Sequence, residues 1–170
     1  MEVIVYNVAF HGGTEVVSVP EIRKGLRNLD FGVGFYATHS REQAVRWAER
    51  QRRIRNAAAA VVSRYDVTGL STSGLAIRSY ETPSEDWLDS VVACRRGDDV
   101  FAGFDVVTGP VADDNVYATI RLYETGVYTR EETIRRLQTE KLFNQIAFKS
   151  AAALAYCRFI SSEKWEGGPL

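Results

Sequence analysis

The spacing of apolar positions switches between strand and helix periods along the chain. Met1–Phe10 (MEVIVYNVAF) is rich in β-branched and aromatic residues and predicts a strand. Val19–Asp30 is polar, holds Pro20 and Gly25, and reads as a loop or short helix. Phe35–Thr38 is a short strand. Ser40-Arg41-Glu42-Gln43 then forms a capping box, with Ser40 at the N-cap and Gln43 reaching back from the third helical position. The helix it opens runs to about Asn56 and places Ala44, Trp47, Ala48, Gln51 and Ile54 on one side.

Ala60–Asp66 reads as a buried strand closed by the turn at Thr68-Gly69. Thr82-Pro83-Ser84-Glu85 is a second capping box with proline at the first helical position, and Trp87, Leu88, Val91 and Val92 form the apolar face behind it. Phe104–Thr108 is a strand stopped by Gly109-Pro110. Asp113 or Asp114 caps a helix with Val116, Ile120 and Tyr123 inward, ended by Gly126. Thr129 opens a short helix carrying Ile134 and Leu137; Leu142–Phe148 and Tyr156–Ile160 read as strands. Helices lie between strands without strict alternation, so the expected class is α+β, in a single domain spanning 1–170.

Composition narrows the function classes. A chain of 170 residues with 45% hydrophobic and 25% charged positions is ordinary for a globular domain. There is no long apolar run and no basic-then-apolar leader, so neither a membrane span nor a secretory signal is expected, and a cytoplasmic location fits. The net charge of −1 supplies no global field for nucleic acid. Cys94 and Cys157 stand too far apart for a disulfide framework and read as buried packing residues; two histidines, His11 and His39, rule out a histidine-rich metal site, and none is expected.

The segment DFGVGFYATHSREQAVRW, 30–47, carries two familiar glycine spellings. Asp30-Phe31-Gly32 matches the metal-binding tripeptide of protein kinases, but the 29 residues before it leave no room for the upstream kinase elements. Gly32-x-Gly34-x-x-Ala37 matches the dinucleotide fingerprint, whose glycines must follow a buried strand and open a helix directly. Here the preceding residues are polar, and a strand intervenes before the helix at Ser40. A third reading uses the glycines to deliver Phe35 and Tyr36 on a short strand, one ring to the core and the other to a cleft where it can stack on a flat heterocycle. Both rings in the core is the competing account. His11, followed by Gly12 and Gly13 at a strand end, can hydrogen-bond a ligand, or serve structure alone. Asn144 and Gln145 are polar positions inside an apolar strand, so at least one should face a partner or pocket.

Taken in order, His11-Gly12, Gly32–Tyr36 with the helix after it, and Asn144-Gln145-Ile146 resemble the ADP-ribosyltransferase superfamily, in the branch of diphtheria toxin and the poly(ADP-ribose) polymerases. The set Phe10–Gly12, Asp30–Thr38, Gln43–Ala48, Gly109–Asp114 and Gln145–Phe148 is similar to a bacterial family of unknown function within that superfamily. The resemblance implies a split β-sheet core with peripheral and inserted helices, and cleavage of NAD at the nicotinamide–ribose bond through an oxocarbenium-like transition state. It implies catalytic roles for His11 on a ribose hydroxyl, Tyr36 on the nicotinamide ring and Gln145 beside the reacting ribose. Gly12, Gly34 and Phe35 would line the NAD site. Arg23 and Arg27, in the loop before the glycines, either meet the NAD pyrophosphate or are simply solvated. Glutamine stands where the branch has glutamate. A neutral amide cannot offset developing positive charge, so chain elongation gives way to single transfer, hydrolysis or binding alone; Glu140 is a remote substitute. Compact relatives of this kind resemble toxins of toxin–antitoxin or phage-defence loci, which implies an antitoxin partner and a protein or nucleic-acid acceptor. A non-catalytic NAD- or nucleotide-binding module is the rival, and an NAD glycohydrolase the other alternative.

Two further groups stand apart from that set. Arg46, Arg50 and Arg53 share one helix face, either solvated and paired with Glu42 and Glu49 or docking an acidic partner or nucleic acid. Asp105, Asp113 and Asp114 read as turn and cap residues, and His39 as an exposed one.

Overall fold

The computed structural model describes residues 7–22, 29–110, 114–139 and 142–166. Seven strands, β1 (Val8–Gly13), β2 (Phe35–Thr38), β3 (Ala59–Asp66), β4 (Ile77–Ser79), β5 (Val106–Pro110), β6 (Asn144–Phe148) and β7 (Arg158–Glu166), form one mixed sheet in the order β4-β5-β6-β2-β1-β3-β7. Only β4 and β5 run parallel. Five helices complete the α+β fold: α1 (Arg41–Arg55), α2 (Glu85–Arg96), α3 (Asp114–Glu124), α4 (Arg130–Gln138) and α5 (Ala151–Leu154).

The sheet is unevenly sewn. β1 and β3 pair from Val8↔Asp66 to Gly13↔Val61, and β2 and β6 from Phe35↔Phe148 to Thr38↔Gln145. Between β1 and β2 the register consists of one pair, Phe10↔Thr38. The sheet therefore falls into two halves, β4-β5-β6-β2 and β1-β3-β7, that meet at a single rung.

Strand alternation sorts the core into layers. Tyr36, Val107 and Ala147 face helices α2 to α4, where Phe31, Trp87, Leu88, Val91, Val116, Ile120 and Leu137 are buried. Phe35, Ala37, Ile146 and Phe148 face the opposite side with Ala9, Tyr65 and Cys157. A third cluster sets Ala44 and Ala48 of α1 against Ala60 and Val62.

That third contact corrects the expected inner face of α1. Trp47 and Ile54 are 47% and 66% exposed, while Ala44 and Ala48 are buried. The reason lies in β1: a β-carbon on Gly12 would stand 2.0 Å from the carbonyl oxygen of Ala44 and 3.0 Å from the nitrogen of Ala48. Helix and strand backbones touch there, so only alanine fits the seam and the larger side chains turn outward.

The caps at Ser40 and Thr129 form at the expected residues, whereas the second lies at Ser84 and not at Thr82; each hydroxyl accepts the backbone N–H three residues on. Ser84 is itself the N-cap of α2, so Pro83 precedes the helix and does not occupy its first position. Asp113 lies outside the described residues. β5 continues through Gly109-Pro110 because β4 ends opposite Thr108, which leaves the Pro110 nitrogen no ladder partner to serve on that side. β4 and α5 have no counterpart in the sequence reading. β6 begins at Asn144, later than expected, and β7 extends through Glu166.

Cys94 and Cys157 are buried free thiols, pushed up to about 11 and about 12 by desolvation. Among the described residues, no helix is long and apolar enough to cross a membrane. His39 is half-buried, a correction to its expected exposure. Its Nδ1 sits 3.1 Å from the Val8 carbonyl, and burial lowers its pKa to about 4.

Two outcomes follow for stability. Gly12→Ala should force α1 off β1 and lower the unfolding free energy by about 2 kcal/mol or more, read from urea denaturation. His39 is neutral in the fold, and its unfolded pKa lies near 6.5, so the unfolded chain gains a proton first on acidification. Its contribution is whole above about pH 6.5, falls as pH drops towards 4, and is then exhausted. Partial solvent access limits it to roughly 2 kcal/mol. Denaturation midpoints across that window should be flatter for His39→Gln than for the parent chain; equal slopes would contradict this.

Candidate functional site

Beyond the Phe10↔Thr38 rung β1 turns away from β2, and a side chain spans the gap. His11 Nδ1 lies 2.7 Å from the Tyr36 carbonyl oxygen. A carbonyl can only accept, so Nδ1 carries the proton that it donates to Tyr36. The imidazole also stacks on Phe35, with centroids 4.8 Å apart and planes 29° from parallel. Phe35 is 6% exposed and belongs to the core on that face. Its part in any ligand site therefore runs through His11.

Tyr36 points the other way, against the core beneath α2 to α4. Its hydroxyl donates to Gly32 O at 2.6 Å and accepts from Phe31 N at 3.1 Å. Burial pushes the phenol well above its usual pKa. The group is a tie between strand and turn, not a proton source; the half-buried ring is what it can offer a ligand.

The turn held by that hydroxyl is the DFGVG segment, and two more elements hold it. Asp30 accepts from Arg95 Nε and Nη2 of α2 at 3.0 and 2.8 Å, a buried pair whose guanidinium lies over the Tyr117 ring. Lys149, just after β6, donates to Phe31 O at 2.7 Å and Val33 O at 2.8 Å. Desolvation lowers its pKa. Gly32 supplies a φ of +72°, and a β-carbon on Gly34 would come within 2.9 Å of Phe148 O. The two glycines thus serve backbone conformation and close strand approach. Neither opens a helix, as a phosphate-cradling dinucleotide turn would.

Gln145 sits opposite Thr38 on one side and Gly109 on the other. The Thr38 hydroxyl is 2.6 Å from Gln43 Oε1 and 2.9 Å from Asn144 O, so it is satisfied within the fold. Gln145 Nε2 is buried and has no hydrogen-bond partner. An amide donor left so costs about 1–3 kcal/mol, an expense that a missing acceptor would explain.

The structure thus brings His11, Tyr36 and Gln145 onto three adjacent strands, β1, β2 and β6. Tyr36 and Gln145 share the helix-facing side, while the His11 ring bridges the gap and leans on Phe35. Gly12 lies under α1, where packing alone demands glycine. Arg23, Arg27 and Glu140 lie outside the described residues. Thr38 and Lys149 were missed in the sequence. A polar residue ending a β-run flagged the first, and a lysine directly after the apolar β6 was the only trace of the second.

A cavity of about 740 Å³ lies on the far side of the turn, lined by Gly32, Val33, Cys94, Phe101, Lys149 and Ser150 among others. It meets the three-strand site only through the turn and Lys149. Asp105 accepts from Ser150 Oγ and Ala76 N, which hold its carboxyl below the usual range; Asp113 and the side chain of Asp114 lie outside the described residues. Among the described residues no three His, Cys, Asp or Glu side chains converge on a metal position.

No curated protein and no solved structure matches the chain. One family model does, that described as "Protein of unknown function (DUF3990)", over residues 8–159, from the start of β1 into β7. With most of its length matched, the chain belongs to the DUF3990 family of proteins of unknown function.

Proposed function

We propose that this chain is an NAD-dependent mono-ADP-ribosyltransferase with its site at the gap between β1 and β2. The observation that carries the reading is the buried, unpartnered Nε2 of Gln145, on the strand beside the one that His11 bridges. The single rung between the sheet halves suits the split sheet of that superfamily, and the resemblance in the order His11-Gly12, Gly34-Phe35-Tyr36, Gln145 supports the same assignment.

In this reading the bond broken is that between the ribose C1′ and the nicotinamide nitrogen. Its electron pair goes to the ring, which leaves as neutral nicotinamide, and positive charge builds on the ribose. His11 Nε2 accepts from a ribose hydroxyl, because Nδ1–H is committed to Tyr36 O. Gln145 donates its amide proton to a ribose oxygen. The acceptor nucleophile closes on C1′ and loses its proton to solvent. Gln145 adds no negative charge opposite the cation, so transfer is slow and stops at one ADP-ribose. The acceptor is a macromolecule, and a toxin restrained by a protein antitoxin in the cytoplasm is the setting we infer. Water in the acceptor's place would make the chain an NAD glycohydrolase.

A second reading rests on one specific feature, the neutral side chain at 145: a module that binds NAD without cleaving it. Purified protein incubated with NAD and cell extract separates them, following free nicotinamide and labelled ADP-ribose. We expect release, cut about 100-fold by His11→Ala and raised about tenfold or more by Gln145→Glu, which restores a charge facing the ribose. NAD binding without release would leave the module standing. Release indifferent to His11→Ala would remove the site from β1.

A further inference from the structure

The outer face of α1 takes no part in the site above. Six arginines against two glutamates leave this helix at +4 in a chain whose total is −1. At 100° per residue Arg46, Trp47, Arg50, Arg53 and Ile54 fall within an arc of about 120°, and all five are exposed. The arginines of this arc alternate with rings. The Arg50 guanidinium lies 5.7 Å from the centroid of Trp47, and that of Arg46 lies 5.7 Å from the centroid of Phe143. Arg46 pairs with Glu42, but both side chains are more than half exposed, so a phosphate can displace that contact at little cost. Phe143 stands two residues before Gln145, and the Thr38 hydroxyl touches both Gln43 of α1 and the Asn144 carbonyl, so α1 lies beside the strand that carries Gln145.

We infer that this face of α1 docks a single-stranded nucleic acid. On the transferase reading proposed above, that strand is the acceptor led to Gln145. Charge complementarity calls for a polyanion, and Trp47, Ile54 and Phe143 choose among polyanions. Unstacked bases gain from aromatic and guanidinium planes, whereas the phosphates of a closed duplex or the carboxylates of an acidic protein segment use the arginines alone.

Fluorescence anisotropy with a labelled single strand of about 12 nucleotides, at about 50 mM salt and without NAD, tests the docking by itself. Log affinity should fall against log salt with a slope near −2, about 0.7 for each of three phosphates. Replacing Arg46, Arg50 and Arg53 together by Gln should weaken binding more than about tenfold and flatten the slope. Trp47→Ala should cost about tenfold with the slope unchanged, a separation that charge alone does not produce. Absent binding would overturn the inference, and so would equal competition by a duplex or by polyglutamate, which would mark a generic acidic partner. Strand binding without nicotinamide release would count against the transferase and leave the docking face intact. Release without strand binding would do the reverse.

Discussion

The turn from Asp30 to Gly34 is fixed by three ties, each from a different part of the fold, and the rest of the site is hung from it. Arg95 reaches it from the helix layer, Tyr36 from the strand that follows it, and Lys149 from the residue after β6. Each tie ends on backbone or on a buried carboxylate, so the turn's path is set by hydrogen bonds that water cannot easily replace. Phe31, fully buried between Tyr80 and Phe101, anchors its inner side. Because β2 leaves this turn directly, the placement of Phe35 and Tyr36, and through them of His11, is inherited from it.

The glycines of this segment are accounted for by chain geometry, whatever ligand the protein takes. Gly12 answers to α1, Gly32 to a left-handed φ, and Gly34 to the carbonyl of Phe148. A pattern that spells two ligand-binding motifs therefore arises from packing, and its glycines carry no weight as evidence for phosphate binding. What does bear on function is polar: an imidazole whose tautomer is set by a main-chain carbonyl, and a buried Gln145 amide nitrogen with no hydrogen-bond partner.

Features governed by neighbours in sequence could be read from it. The caps at Ser40 and Thr129 are three-residue chemistry, and the strands around Phe35–Thr38, Ala59–Asp66 and Asn144–Phe148 announce themselves by β-branched and aromatic content. Features decided at a distance could not. The inner face of α1 depends on a glycine some thirty residues earlier; periodicity alone favoured Trp47 and Ile54 over the alanine seam. β4 is three residues held by Val106–Thr108, too short to carry a signal of its own. The candidate site was legible as a set of residues, because His11, Tyr36 and Gln145 do land on adjacent strands. Its arrangement was not: which face each ring takes depends on where β1 and β2 part, and Lys149 joins the turn across more than a hundred residues.

The lone Phe10↔Thr38 rung also has a mechanical meaning. Widening the sheet between β1 and β3, or between β2 and β6, would break a whole ladder, whereas parting β1 from β2 strains one rung, the His11 bridge, the contact of His39 with the Val8 carbonyl and that of Thr38 with Gln43 on α1. Compliance is thus concentrated at one seam while both flanking half-sheets stay stiff. A molecule wedged there meets a softer line than either flanking ladder, and the residues that report its arrival are the histidines already spanning the gap.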